Sequence, residues 1–212
     1  MTSAEISGLY AVTPDIADTV ALVAKTRAAL TGGARYVQYR NKTATATLRL
    51  AQARALKTLC DEFAACLIVN DHLDLALAVD AHGVHLGAED GSIAAARARL
   101  GGAKLLGASC YNGLDAAHAA ESAGADYCAF GSFFPSTVKP SAVRADTDLL
   151  RRAKRELKRP IAAIGGITLA NAGALIAAGA DSVAVISALF DAPDVGDAAR
   201  QFCALFSEKS DE

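Results

Sequence analysis

Residues 66–90 read CLIVNDHLDLALAVDAHGVHLGAED, and this stretch decides the fold. Cys66 to Val69 is an apolar run too short for a helix. Leu73, Leu75, Ala76, Leu77 and Val79 then give a helical face, with Asn70 and Asp71 placed to cap it. Val84 to Leu86 resumes as a strand. A strand that returns parallel to its neighbour through a helix leaves both strand ends on one side of the sheet. Asp71 and Asp90, which follow the two strands, are therefore expected to face one another. Two such carboxylates repel unless a cation lies between them, and oxygen ligands of this kind suit magnesium. The plainer alternative is that both only cap helices.

Working outward, Leu9 to Thr13 is a strand stopped by Pro14, and a helical pattern runs from Val20 to about Leu30, where Gly32-Gly33 ends it. Tyr36 to Tyr39 is the second strand, followed by a helix from about Thr45 to Phe63. Downstream, Asp90 and Ser92 are placed to cap a helix through Leu100. Lys104 to Ser109 is the fifth strand, Leu114 to Ala123 a helix, and Tyr127 to Phe130 the sixth strand. The segment 131–144 has no periodicity, and its length marks it as a binding loop or lid. A charged helix over 146–158, a strand at Ile161 to Ile164, a helix from about Leu169, a strand at Val183 to Ile186 and a last helix over about 195–206 complete the order.

There is an internal echo. Ala123-Gly124-Ala125-Asp126 and Ala178-Gly179-Ala180-Asp181 each precede a strand, with Asp80-Ala81-His82-Gly83 a looser version. Each marks a helix end followed at once by a strand. Eight near-continuously apolar strands, each with a helix after it, predict an α/β chain folded as a (β/α)8 TIM barrel, one domain over residues 1–212. An open doubly wound sheet is the alternative, but no GxGxxG follows the first strand.

The chain has 212 residues, 52% of them hydrophobic, and a formal charge of −2. It carries no Lys/Arg run, so a nucleic-acid partner has no electrostatic support and any anion must be bound locally. The first residues lack the pattern of a signal peptide, and no apolar run approaches the ~20 residues needed to cross a bilayer, so a cytoplasmic protein without a membrane partner is expected. Five widely spaced cysteines, Cys60, Cys66, Cys110, Cys128 and Cys203, with no CxxC, read as reduced and packed rather than disulfide-bonded or zinc-binding. Helices such as the one over 45–63 leave room for a homo-oligomer without specifying one.

A TIM barrel places its site at the C-terminal strand ends. Those exits offer Gln38, Arg40 and Lys42 after strand two, Asn70 and Asp71 after strand three, Asp90 after strand four and Ser109 at strand five. Ser136, Thr137 and Lys139 stand in the strand-six loop, Gly165-Gly166 after strand seven and Ser187 after strand eight. The period of two in Gln38-x-Arg40-x-Lys42 predicts that these side chains point one way on extended backbone. Two glycines and a small hydroxyl after the last two strands suit a phosphate cradle, since bare backbone N–H groups favour an anion. With Lys139 the site has three cations. Cations, a carboxylate pair and a separate cradle imply two phosphorylated groups, one of them highly charged. No GxSxG, Cys/His pair or mid-strand lysine is present, and no histidine stands at a clear strand exit. His85 lies within strand four and is expected to point into a polar barrel layer, His72 to sit in the first turn of its helix, and His82 and His118 to be surface or helix positions. A site rich in cations and poor in bases suits loss of a leaving group.

These residues resemble the thiamine phosphate synthase family over nearly the whole chain. The motifs are VQYRNK (37–42), LIVNDHLDLA (67–76), GVHLGAED (83–90), GASCYN (107–112), GADYCAFGSFFPSTVKP (124–140), IAAIGGIT (161–168) and VAVISALF (183–190). The resemblance implies a transferase that joins hydroxymethylpyrimidine diphosphate to thiazole phosphate, or its carboxylate, with magnesium, releasing diphosphate. By matching position it implies that Gln38, Tyr39, Arg40, Asn41, Lys42, Asn70, Ser109 and Lys139 form the pyrimidine diphosphate site and that Asp71 and Asp90 hold the metal. Ser136, Thr137, Val138, Gly166, Ile186 and Ser187 would form the thiazole phosphate site. The implied mechanism is dissociative, with Arg40, Lys42 and Lys139 stabilising the departing diphosphate. Three positions depart from the family pattern. Val138 and Thr137 replace a usual Thr-x-Thr order, Ala88 stands where glutamine is common, and Cys110-Tyr111 replace a small or polar pair. A thiazole tautomerase-like relative would need an acid/base residue near the thiazole, and a non-catalytic thiamine phosphate sensor would not need the full diphosphate and metal set.

Overall fold

The computed structural model describes residues 6–135 and 144–207. Its strands are β1 (Gly8–Val12), β2 (Tyr36–Tyr39), β3 (Cys66–Asn70), β4 (Gly83–Leu86), β5 (Leu105–Tyr111), β6 (Tyr127–Phe130), β7 (Ile161–Ile164) and β8 (Ser182–Val185). The helices are α1 (Thr19–Thr31), α2 (Ala46–Glu62), α3 (Leu73–Ala78), α4 (Ile93–Leu100), α5 (Leu114–Ser122), α6 (Thr147–Glu156), α7 (Leu169–Ala177), α8 (Ser187–Phe190) and α9 (Val195–Ser207). The strands pair in parallel in chain order and close where β8 meets β1, with Leu9 opposite Val183 and Ala11 opposite Val185. The expected TIM barrel is thus formed, and the open sheet is not. Among the described residues no helix is long and apolar enough to cross a membrane.

Both faces of the strands are buried, which is why each reads as an unbroken apolar run. One set of side chains, including Leu67, Val69, Val84 and Leu106, packs outward against Leu56, Leu59 and their helical neighbours. The alternate set, Tyr10, Tyr36, Ile68, Leu105, Tyr127, Ala162 and Ala184, fills the barrel itself. Each fully buried Leu or Phe contributes roughly 1.5–3 kcal/mol by leaving water.

The Ala-Gly-Ala-Asp echo is a bracing device at the N-terminal end of the barrel. Gly124 (φ 100°) and Gly179 (φ 113°) turn the chain out of α5 and α7 in the left-handed region that glycine enters most readily. The aspartate then accepts a strand N–H. Asp126 Oδ2 accepts from Leu106 at 2.8 Å, and Asp181 Oδ2 from Ile161 at 2.9 Å. Each also meets a cation, Arg97 for Asp126 and Lys154, at 2.6 Å, for Asp181. The looser third copy does the same work with an imidazole. His82 Nδ1 accepts the Leu67 N–H at 2.9 Å, and its Nε2 lies 3.2 Å from Asp61. His82 is thus a brace between β3 and β4, not the plain surface or helix position its sequence context suggests.

Local readings of three segments need correction. Neither Asp71 nor Asp90 caps a helix, and nor does Asn70. The cap residue of α3 is His72, without a side-chain bond, and that of α4 is Ser92, whose Oγ accepts from Ala95. Asp71 sits at φ 62° with its N–H bonded to the His85 carbonyl, and Asp90 turns back to accept the Gly87 N–H at 2.8 Å. Strand β2 ends at Tyr39, so Gln38, Arg40 and Lys42 do not share one extended face. The short α8, four residues without room for a periodic pattern, follows β8 directly.

Candidate active site

The C-terminal mouth is assembled from the strand exits. At β1, the buried Thr13 donates from Oγ1 to the Arg40 carbonyl at 2.8 Å and accepts the Arg40 N–H at 2.9 Å. Asp15, just beyond, accepts from Arg40 Nη1 at 3.1 Å and from the Lys42 N–H at 2.8 Å. The 40–42 turn is therefore held from β1, and Arg40, with a side chain 12% exposed, has its guanidinium fixed at the rim. Lys42 stands 3.9 Å from Asp71 Oδ2, at the outer limit of an ion pair. Gln38 points into the barrel instead, and donates from Nε2 to the Tyr10 hydroxyl at 2.9 Å.

Tyr39 and Asn41 direct polar groups to Gln52 of α2, and Asn41 also to the loop after β1. The Tyr39 hydroxyl donates to Gln52 Oε1 at 2.9 Å, and Asn41 Nδ2 donates to the Ile16 carbonyl and to the same Gln52 oxygen. Burial pushes the Tyr39 hydroxyl up to about 12. Both residues still line a small hollow with Lys42, Arg49, Asn70, Asp71 and His72. Arg49 was not singled out from sequence, because on an Ala/Leu helix it reads as an ordinary solvated arginine. Its Nη2 donates to the Ala44 carbonyl at 2.9 Å, while its buried Nε has no partner among the described residues. Burial, then Arg49, hold His72 below the ordinary imidazole range.

Asp71 and Asp90 stand close enough for one carboxylate to act on the other, as the parallel strands require. Burial, and then the neighbouring Asp90, raise Asp71 above the ordinary carboxylate range despite Lys42 and Arg40 nearby. Two carboxylates that crowd so closely are stabilised either by a shared proton or by a cation. The donor set fits magnesium, which commonly takes one or two protein carboxylates and completes its shell with phosphate oxygens and water. Among the described residues no third His, Cys, Asp or Glu joins them.

Below the carboxylates a hydrogen-bonded series crosses the barrel. Tyr10 and Tyr127 hydroxyls lie 2.9 Å apart, Tyr127 lies 3.0 Å from His85 Nδ1, and His85 Nε2 lies 2.8 Å from Ser109 Oγ. Burial lowers His85 to about 4, so the ring is neutral. His85 occupies the polar interior layer expected of it. Of the two unusual residues after Ser109, Cys110 is buried and faces the helices, whereas Tyr111 is 45% exposed with its hydroxyl beside Gly87.

Across the mouth the chemistry changes. Pro135, Ile164, Gly165, Gly166, Ile167, Thr168, Ala184, Ile186, Ser187 and Ala188 line a cavity of about 200 Å³, and none of these described residues has an ionisable side chain. Gly165 and Gly166 both have left-handed φ, 104° and 64°. A Cβ on Gly166 would stand 2.4 Å from the Pro135 carbonyl oxygen, so the chain approaches itself there as only glycine permits. Ser136, Thr137 and Val138, expected at this cavity, and Lys139, expected on the diphosphate side, lie outside the described residues. The other expected residues, with Gly166, Ile186 and Ser187 on one side and Arg40, Lys42, Asn70, Asp71, Asp90 and Ser109 on the other, all come to the strand exits.

Residues 9–189 match the family model described as thiamine monophosphate synthase. The chain is 56% identical over 205 residues to the thiamine-phosphate synthase of Thiobacillus denitrificans, covering 97% of each. It is 57% identical over 202 residues to that of Methylobacillus flagellatus, covering 95% of this chain and 96% of the relative. The solved thiamine phosphate pyrophosphorylase of Pyrococcus furiosus superposes with a TM-score of 0.84 at 37% identity, over 95% of this chain and 96% of the other.

Proposed function

The chain belongs to the thiamine monophosphate synthase family, and from that premise we propose how its barrel mouth divides the work. The activity is that of a thiamine-phosphate synthase, a transferase acting on small molecules. The β2–β5 side takes the hydroxymethylpyrimidine diphosphate, held by Gln38 to Lys42, Asn70, Ser109 and Lys139. The β7–β8 side takes the thiazole phosphate, with Gly166, Ile186 and Ser187 joined by Ser136, Thr137 and Val138. Asp71 and Asp90 would hold a magnesium ion, whose charge offsets that of the diphosphate oxygens.

Arg40, Lys42 and Lys139 stabilise the diphosphate as the bond from its oxygen to the pyrimidine methylene breaks and the electron pair leaves with it. The methylene cation left behind is captured by the lone pair of the thiazole nitrogen. That nitrogen carries no proton, so the carbon–nitrogen bond forms without a base. The observation that carries this reading is the asymmetry of the mouth, with paired carboxylates and cations on one side and an apolar, glycine-floored cavity on the other. Among the described residues that line this cavity none is the acid or base that a tautomerase would need. Five free cysteines support a reducing compartment, the cytoplasm.

The test is diphosphate release from purified protein given both substrates and magnesium. Release should need all three, and Asp71→Ala should lower it by on the order of 100-fold or more. Tight thiamine phosphate binding with no release would move the protein to the sensor class.

A further inference from the structure

The barrel interior holds an ordered set of protons with one free end. Tyr10, Tyr127, Gln38 and His85 are buried at 1%, 0%, 4% and 6% exposure, where an unmade hydrogen bond is costly, so the donors can be counted. The Gln38 amide nitrogen only donates, so the Tyr10 oxygen accepts there. Among the described residues the Tyr10 proton then has one partner left, the Tyr127 oxygen. The Tyr127 proton in turn goes to His85 Nδ1. An imidazole that accepts at Nδ1 has no proton there, so its one N–H is at Nε2, which points at Ser109 Oγ. The Ser109 oxygen is thus an acceptor on its inner side, and its own proton is left for whatever occupies the mouth.

The packing enforces this arrangement. The His85 and Tyr127 rings stack with centroids 5.5 Å apart and planes 27° apart. They fit because β5 has no side chain at Gly107, where a Cβ would lie 2.1 Å from Tyr127 Cζ and 2.5 Å from His85 Nδ1.

We propose that His85 is a positioning residue, locked as the Nε2–H tautomer by Tyr127, Tyr10 and Gln38, so that the Ser109 hydroxyl is presented as a donor to an acceptor atom of the bound pyrimidine diphosphate. The proposal rests on the pyrimidine side of the mouth being where that substrate sits. Its consequence is a preference: with one lone pair taken by His85, the Ser109 proton is free for an acceptor, while a group that can only donate is left the single remaining lone pair.

The experiment uses the full chain labelled with nitrogen-15 histidine, with the His85 signals assigned by their loss in His85→Gln. At neutral pH in the absence of substrate, Nε2 should be the protonated nitrogen and Nδ1 the bare one. Tyr127→Phe should mix the tautomers and raise the KM for the pyrimidine diphosphate about fivefold, the worth of one neutral hydrogen bond, with the KM for the thiazole phosphate unchanged. If Tyr127→Phe does not fold, Ser109→Ala reads the same arrangement from its outer end: the KM for the pyrimidine diphosphate should rise by a similar factor while Nε2 stays protonated, because Tyr127 still donates to Nδ1. Protonation at Nδ1 in the unmodified protein overturns the proposal, as does a folded variant with an unaltered tautomer and an unaltered KM. Because the tautomer is read without turnover, this failure is separable from an absence of diphosphate release, which would instead overturn the reaction.

Discussion

At the N-terminal rim of the barrel, Asp126, Asp181 and His82 each accept a strand N–H and each face a charged partner. At the C-terminal rim, Asp71 and Asp90 face each other, with Lys42 only at 3.9 Å. Both rims are polar, and both are built by the same eight strand–helix units. One is electrostatically complete on its own, and its ion pairs tie helices to strands. The other has carboxylates that burial and mutual repulsion hold above their ordinary range despite the nearby cations, and a buried guanidinium nitrogen, Arg49 Nε, without a partner among the described residues. A rim that satisfies itself adds stability, whereas a rim left incomplete is completed by a ligand.

That contrast can be broken by substitutions that exchange the two behaviours. Arg40→Ala should cost the largest effect, a fall in kcat/KM of about 100-fold from losing a fixed cation, with the thermal midpoint hardly moved. A stability loss in place of the activity loss would make Arg40 a brace like those below. Asp181→Ala should behave oppositely, lowering the unfolding free energy by about 2 kcal/mol as the Ile161 N–H and Lys154 lose their acceptor, with kcat unchanged. Denaturant melts and initial rates on the same preparation separate these outcomes. Gly166→Ala sharpens the picture within the upper rim. Its methyl would press on the Pro135 carbonyl and shift the cavity floor, raising the KM for the thiazole phosphate about tenfold and leaving that for the pyrimidine diphosphate in place. An equal rise in both would mean that the two sides of the mouth are not independent.

The upper rim was legible in the sequence where a single rule fixes position. Parallel strands returning through helices put Asp71 beside Asp90, and an apolar run of strand length located β2, β6 and β7 to the residue. Capping was misread because Asp71 and Asp90 are good cap residues by type, yet left-handed backbone at Asp71 and the Gly87 turn at Asp90 aim them elsewhere. The shared face expected of Gln38, Arg40 and Lys42 failed because alternation lasts only as long as the strand. Tyr10 and Tyr127 gave no signal at all. In LYAV and YCAF a tyrosine is one more strand-forming aromatic, and only the closed barrel brings two hydroxyls 117 residues apart to hydrogen-bonding distance. The brace at His82 was visible as a repeat, but its imidazole matched no aspartate, so the shared role of accepting a strand N–H was hidden by residue type.

The seam between β1 and β8 sets a timetable for biosynthesis. Gly8 accepts a hydrogen bond from Ser182 Oγ across 174 residues of chain, and its N–H bonds to the Asp181 carbonyl. At a synthesis rate of roughly 5–20 residues per second, the first strand waits on the order of 10 to 35 seconds for the last. Through that interval β1 has a neighbour only in β2, and its other edge is open to any extended chain nearby. Sealing the barrel therefore waits until β8 has been made, and a ribosome that stops before Val185 releases a sheet with two bare edges.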